Sequence, residues 1–145
     1  PLTQRRFHRV PLISQVRLAT VPMQSMRAQD ISRLRWVETD SLNFSSGGLL
    51  IELPSSLSRD VLMLINLELE SAGFPRLIMG QVRHCFADDI GRSRAGVEFI
   101  IQEHRDRIVQ RVRFLRLPRA VFSYGRADRD RLNQMLAEGK LTIEL

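Results

Sequence analysis

The chain has 145 residues, enough for one domain and too few for two of ordinary size. Apolar residues make up 43% of it, which argues against wholesale disorder, and the lone cysteine, Cys85, excludes an internal disulfide framework and a four-cysteine zinc site. The net charge is +6, and 21 of the 22 basic residues are arginine, Lys140 being the one lysine. Arginine presents five donors in a planar fork that matches phosphates, carboxylates and guanine edges, so the composition favours an anionic partner.

A polar, basic arm comes first: Gln4, Arg5, Arg6, Phe7, His8, Arg9. It carries no apolar signal core, and the missing initiator methionine points to a processed or excised piece of a larger parent. Residues 12–20 read as a strand, with Ile13, Val16 and Leu18 among polar neighbours, whereas residues 21–35 have no firm period. Residues 36–42 predict a second strand. Residues 43–48, Asn-Phe-Ser-Ser-Gly-Gly, read as a turn, because paired glycines permit positive φ and Asn and Ser cap local backbone groups. Residues 49–53 form a third predicted strand stopped at Pro54, residues 61–69 a fourth, residues 77–86 a fifth and residues 94–101 a sixth. Short strands spaced so evenly, with no interleaved helices, predict a small barrel or sandwich rather than a parallel sheet. The longest apolar run, residues 61–65, is far too short to cross a bilayer.

The period changes after Gln102. Ile108, Val112 and Leu115 fall at i, i+4 and i+7, which predicts an amphipathic helix over residues 105–117 that ends before Pro118. A second short helix is expected over residues 127–138, with Leu132, Met135 and Leu136 on one stripe and Gly139 as its stop. Residues 141–145 alternate apolar and polar side chains, as a pairing strand does. The division that follows is an arm over residues 1–10, a barrel with a helix over residues 11–118, and an extension over residues 119–145.

Two features carry chemistry. Arg5 and Arg9 stand four apart, with Arg6 between them, on a polar strap that can close over a polyanion and form charge-assisted bonds to phosphate or fork onto guanine O6 and N7. Asn43 and Ser45 offer a carboxamide and a hydroxyl beside Gly47 and Gly48, which let a ligand approach the backbone. Either feature alone is commonplace, since basic termini are solvated and Asn, Ser and Gly fill turns everywhere.

Together they resemble the PilZ domain family, bacterial receptors for the second messenger cyclic di-GMP. The family signature pairs an Arg-x-x-x-Arg arm with a later Asp/Asn-x-Ser-x-x-Gly. Here these are Arg5-Arg6-Phe7-His8-Arg9 and Asn43-Phe44-Ser45-Ser46-Gly47-Gly48, with a weaker third match at Gly96-Val97-Glu98-Phe99. The resemblance covers roughly residues 4–118. It implies a mostly β fold, a six-stranded antiparallel barrel with one or more C-terminal helices. It also implies that Arg5 and Arg9 grip guanine edges and phosphates and that Arg6 adds a phosphate contact. Asn43 would accept from a guanine N–H group, Ser45 would donate to phosphate or guanine, and Gly47 and Gly48 would hold the turn open. Many relatives carry a further Arg before the motif, where this chain has Gln4. One arginine fewer to meet the phosphate charge implies one ligand per chain rather than a stacked pair.

The expected function is therefore a non-enzymatic, cytoplasmic cyclic di-GMP receptor that needs no cofactor and signals to a partner protein or neighbouring domain. An adaptor acting only through protein contacts is the reading when these motifs are lost, and they are intact. A basic nucleic-acid-binding barrel is the competing class, but such barrels need stacking aromatics, and only nine aromatics occur, seven of them Phe. His8, His84 and His104 are scattered, Cys85 alternates faces with His84, and no Ser/His/Asp set has supporting context, so neither a metal site nor catalysis is expected. Asp88 and Asp89 before Gly91 read as hairpin-turn chemistry, and Arg83 or His84 could line a groove from the fifth strand.

Overall fold

Period-two alternation organises most of residues 10–99. A computed structural model describes residues 7–22, 28–69, 73–87 and 90–139. In it, strands β1 (Val10–Thr20), β3 (Trp36–Ser45), β4 (Gly48–Leu53), β5 (Leu62–Asn66), β6 (Leu77–Ala87) and β7 (Ser93–Phe99) close into an antiparallel barrel of order β1-β3-β4-β7-β6-β5. The short strands β2 (Gln29–Asp30) and β8 (Leu115–Arg116) pair in parallel outside it, and one α-helix, α1 (Arg126–Ala137), follows. Among the described residues no helix is long and apolar enough to cross a membrane.

The alternation decides which side chains face in. Leu49, Ile51 and Leu53 of β4 are buried, as are Ala95, Val97 and Phe99 of β7, while the residues between them are half-exposed. β5 differs because both its faces are covered: Met63 and Ile65 enter the barrel core, whereas Leu62 and Leu64 enter a second cluster outside the barrel. That double burial is why β5 reads as a continuous apolar run.

The second cluster also holds Ile108, Val112 and Leu115, so these three are buried as their spacing demands. The helix expected over residues 105–117 nevertheless does not form. Gln102–Arg107 and Val109–Val112 are 3-10 segments, and Leu115 joins the β2 ladder opposite Gln29. Ile108, Val109 and Val112 are β-branched and stiff at χ1, and Arg107 with Arg111 would set like charges four apart on a helix. The Gln29 amide also takes the Phe114 carbonyl at 2.7 Å, which draws the backbone away from helical bonding.

Three further expectations shift. β3 extends through Asn43, Phe44 and Ser45, because Phe44 is a wholly buried core residue paired with Leu49, so the turn narrows to Ser46 and Gly47. The fourth strand ends at Asn66, although Leu67 and Leu69 remain buried. β1 already begins at Val10, the last residue assigned to the arm. The pairing segment expected over residues 141–145 lies outside the described residues.

The barrel core runs on into the extension. Phe44, Phe74, Phe99 and Tyr124 form an aromatic cluster, with ring centroids 5.1 Å apart for Phe74 and Phe99 and 4.8 Å for Phe74 and Tyr124. Leu132 and Leu136, four apart on one face of α1, are buried in the same core. Two barrel strands carry an extra residue. Leu42 is inserted in β3 between the Ser41–Ile51 and Asn43–Leu50 pairs, and Arg83 in β6 between the Val82–Val97 and His84–Gly96 pairs. Bulges of this kind re-aim neighbouring side chains at barrel rims, and both sit beside the groove described next.

Candidate ligand-binding groove

The hairpin between β3 and β4 fixes one wall. The Ser45 hydroxyl accepts from the Gly47 amide at 3.2 Å and donates to the Gly48 carbonyl at 3.3 Å, so the side chain braces the turn that follows it. The Gly47 carbonyl accepts from the Phe99 amide at 2.9 Å, which ties the turn to β7. A Cβ at Gly48 would run into the Val97 carbonyl, a backbone group with nowhere to go, and one at Gly47 would run into the Phe7 ring. The two glycines thus serve different purposes: Gly48 lets two strands close, and Gly47 is the platform on which the arm rests.

The arm's last residues are seated rather than free. Phe7 lies on Gly47, with the Arg129 guanidinium 4.9 Å from its ring centroid, and the His8 amide donates to the Asn133 side chain at 2.8 Å. Both partners belong to α1. Gln4, Arg5 and Arg6 lie outside the described residues.

The opposite wall comes from β6 and β7. Arg83 donates two bonds of 3.0 Å each to the Glu98 carboxylate in a bidentate fork, with Asp60 3.9 Å away. The bond to Glu98 raises the Arg83 pKa above its ordinary value, which secures a positive charge at this rim. The His84 ring lies flat over Gly96, where a Cβ would collide with the imidazole, and stacks on Phe86 at 5.9 Å.

The floor of the groove brings in residues 102–130. His104 and Arg107 come from the 3-10 segment, and Arg126 and Arg129 from α1. Burial first, and the Arg107 charge next, push the His104 pKa below its ordinary 6.5, so this imidazole is neutral at pH 7. The groove encloses about 790 Å³. Arg9, Arg83, Arg107, Arg126 and Arg129 line it, against the carboxylates Glu98 and Asp130. An open cationic cleft with an imidazole plate and a braced hydrogen-bonding turn is suited to holding a flat polyanion.

The structure brings Arg9, Asn43, Ser45, Gly47 and Gly48 together on this groove, although the motifs are more than thirty residues apart. The PilZ domain family model matches residues 3–115. The chain belongs to the PilZ domain family. Among solved structures, this PilZ domain is similar to the Bacillus subtilis Inhibitor of motility MotI/DgrA, with 16% identity, a TM-score of 0.47, and coverage of 96% of this chain and 52% of that one. It is also similar to Escherichia coli YcgR in complex with c-di-GMP, with 9% identity, a TM-score of 0.44, and coverage of 94% and 46%. The PilZ domain of YcgR with c-di-GMP gives 11% identity, a TM-score of 0.43, and coverage of 95% and 97%. The chain spans about half the length of the first two proteins. No curated protein sequence matches it.

Arg107, Arg126 and Arg129 were missed by the motif reading. Arg126 and Arg129 lie beyond the family match, and neither sits in a signature motif. The one signal available was their i, i+3 spacing, with Arg126 one residue before the helix expected over residues 127–138 and on the same face as Arg129 once α1 begins at Arg126.

Proposed function

We propose that this PilZ domain is a receptor for cyclic di-GMP, without catalysis, acting in the cytoplasm and passing occupancy to a partner protein or neighbouring domain. The observation that carries the reading is the meeting of Arg9, Asn43, Ser45, Gly47 and Gly48 on one arginine-lined groove. The ligand's two phosphodiesters and two guanines present the groups that guanidinium forks and a carboxamide match best. Arg9, with Arg5 and Arg6 of the same arm, grips phosphate oxygens and guanine edges. Asn43 accepts from a guanine N–H group, and Ser45 gives up its bond to the Gly48 carbonyl in favour of the ligand. Gly48 keeps β4 closed against β7 and Gly47 seats Phe7, so the turn holds its place beside the ligand. Ligand binding draws Arg5 and Arg6 onto the groove beside the already seated Phe7 and His8, and one ligand occupies each chain.

Calorimetric titration of cyclic di-GMP and of a short single-stranded oligonucleotide, run in parallel at moderate salt, tests the class. Cyclic di-GMP should bind with one site per chain and the oligonucleotide weakly and salt-sensitively. Tighter oligonucleotide binding with no response to the dinucleotide would make the domain a nucleic-acid-binding barrel. Two dinucleotides per chain would overturn the stoichiometry alone.

A further inference from the structure

The C-terminal helix contributes charge to the groove from outside the segment that defines the family. Arg126 and Arg129 both line the groove, while the family match stops at residue 115. The positive end of α1 is not what faces the ligand. The Arg126 amide donates to the Glu103 carboxylate at 2.9 Å and the Gly125 amide to the Asp128 carboxylate at 3.0 Å, so the helix terminus is already occupied by acids.

Arg129 is the more telling of the two side chains. It is only 13% exposed, one of its faces is covered by the Phe7 ring, and its nearest carboxylate, Asp130, stands 3.9 Å away and is itself largely in solvent. Its Nε, the atom that faces Asp130 at that distance, is buried and makes no hydrogen bond among the described residues. A guanidinium held in a groove with a donor unused is a poor arrangement for stability alone, because a buried polar group without a partner is costly. The buried Nε is itself closed to a ligand, and what the groove offers an anion is the rest of this side chain, which lines it.

We propose that α1 is a second wall of the binding site, with Arg126 and Arg129 donating to phosphodiester oxygens of the ligand while the motif residues hold the guanines. This rests on the cyclic di-GMP reading of the groove. Arg126, exposed on the first turn of α1, meets the anion through a solvated side chain, and Arg129, preset against Phe7, through a fixed one. The helix that carries both is anchored in the barrel core by Leu132 and Leu136, so these charges are positioned as rigidly as the strands.

The test is titration of cyclic di-GMP into the unmodified chain and into Arg126→Gln, Arg129→Gln, Arg129→Lys, Phe7→Leu and the Phe7→Leu/Arg129→Gln pair, at low and moderate salt. Each Arg→Gln change should weaken binding about ten-fold or more, the range of a charge-assisted hydrogen bond. Each should also flatten the salt dependence of binding. Arg126→Gln should leave the melting temperature unchanged, and Arg129→Lys should fall between wild type and Arg129→Gln, keeping the charge but losing the fork. Wild-type binding with unchanged affinity and salt dependence in both Gln variants would overturn the inference and leave the motif site standing. Failure of the unmodified chain to bind would overturn both. If the Arg129→Gln loss vanishes once Phe7 is Leu, Arg129 acts by holding the arm and its direct contact is refuted. Should Arg129→Gln lower the melting temperature, Arg126→Gln and Arg129→Lys still decide the matter.

Discussion

The Tyr124 hydroxyl donates a 2.6 Å hydrogen bond to the carbonyl of Ser46, 78 residues earlier in the chain. Ser46 is the turn residue of the Asn-x-Ser-x-x-Gly motif, and Tyr124 precedes α1, so one bond joins the motif turn to the C-terminal segment. Burial pushes the phenol's pKa up, and it remains a donor throughout the working pH range. Tyr124→Phe keeps the ring against Phe74 and Phe99 and removes only this bond. It should cost about 1–3 kcal/mol, because the buried carbonyl loses its partner. Urea unfolding of both proteins measures the difference, and equal stability would mean that another donor replaces the hydroxyl.

Gly47 and Gly48 should respond differently to the same added methyl. Gly48→Ala drives a Cβ into the Val97 carbonyl, and separating β4 from β7 should cost roughly 1–3 kcal/mol or more. Gly47→Ala meets the Phe7 ring, which can swing aside, so stability should change little while the arm is displaced and cyclic di-GMP affinity falls. Melting curves beside ligand titrations separate the two. A Gly47→Ala protein with wild-type affinity would show that the seating of Phe7 has no part in binding.

Arg9→Ala should weaken cyclic di-GMP binding by about 1–3 kcal/mol, as loss of a bidentate guanine contact does, with little effect on folding because the residue is exposed. Asn43→Ala should weaken binding and reduce the preference for guanine over adenine, since a site built around a hydrogen bond discriminates less once that partner is removed. Competition between cyclic di-GMP and cyclic di-AMP reads this directly. Unchanged selectivity would make Asn43 a strand residue only.

His104 gives a pH dependence of defined sign. Its folded-state pKa lies below the ordinary 6.5, through burial and then Arg107, with Arg126 and Arg129 adding to the effect and Glu98 opposing it. The unfolded chain therefore takes up the proton first as pH falls. The stability associated with the neutral imidazole is complete above 6.5 and is lost as pH drops through the lowered folded value. His104→Gln should flatten the thermal stability profile below 6.5, where the His104 contribution falls away. Parallel profiles for the two proteins would remove His104 from the pH response.

Much of this was legible because strands announce themselves. Most barrel strands follow alternating apolar residues and β5 a continuous apolar run, with breaks at Pro54, the Gly47-Gly48 pair and Gly73, and each of the two motifs is an unbroken stretch of sequence. Residues 105–117 misled because i, i+4, i+7 spacing fits an amphipathic helix, whereas Ile108 lies between two 3-10 segments, Val112 in the second and Leu115 in β8. Only the partners decide, and these are Leu62 and Leu64 on the outer face of β5 together with the Gln29 ladder. Arg126 and Arg129 stayed hidden for a different reason. Nothing local distinguishes a groove-facing arginine on a short helix from a solvated one; the docking of Leu132 and Leu136 makes the difference, and that is a long-range contact.

The barrel core also decides where this module can be cut and joined. Tyr124, Leu132 and Leu136 fill its interior from beyond residue 115, where the shared family segment stops. A chimera spliced at that boundary would carry a barrel missing three large side chains, and any foreign sequence placed downstream would have to supply them. A graft running from the arginine arm through α1 would instead travel with its own stopper, Tyr124, Leu132 and Leu136 included.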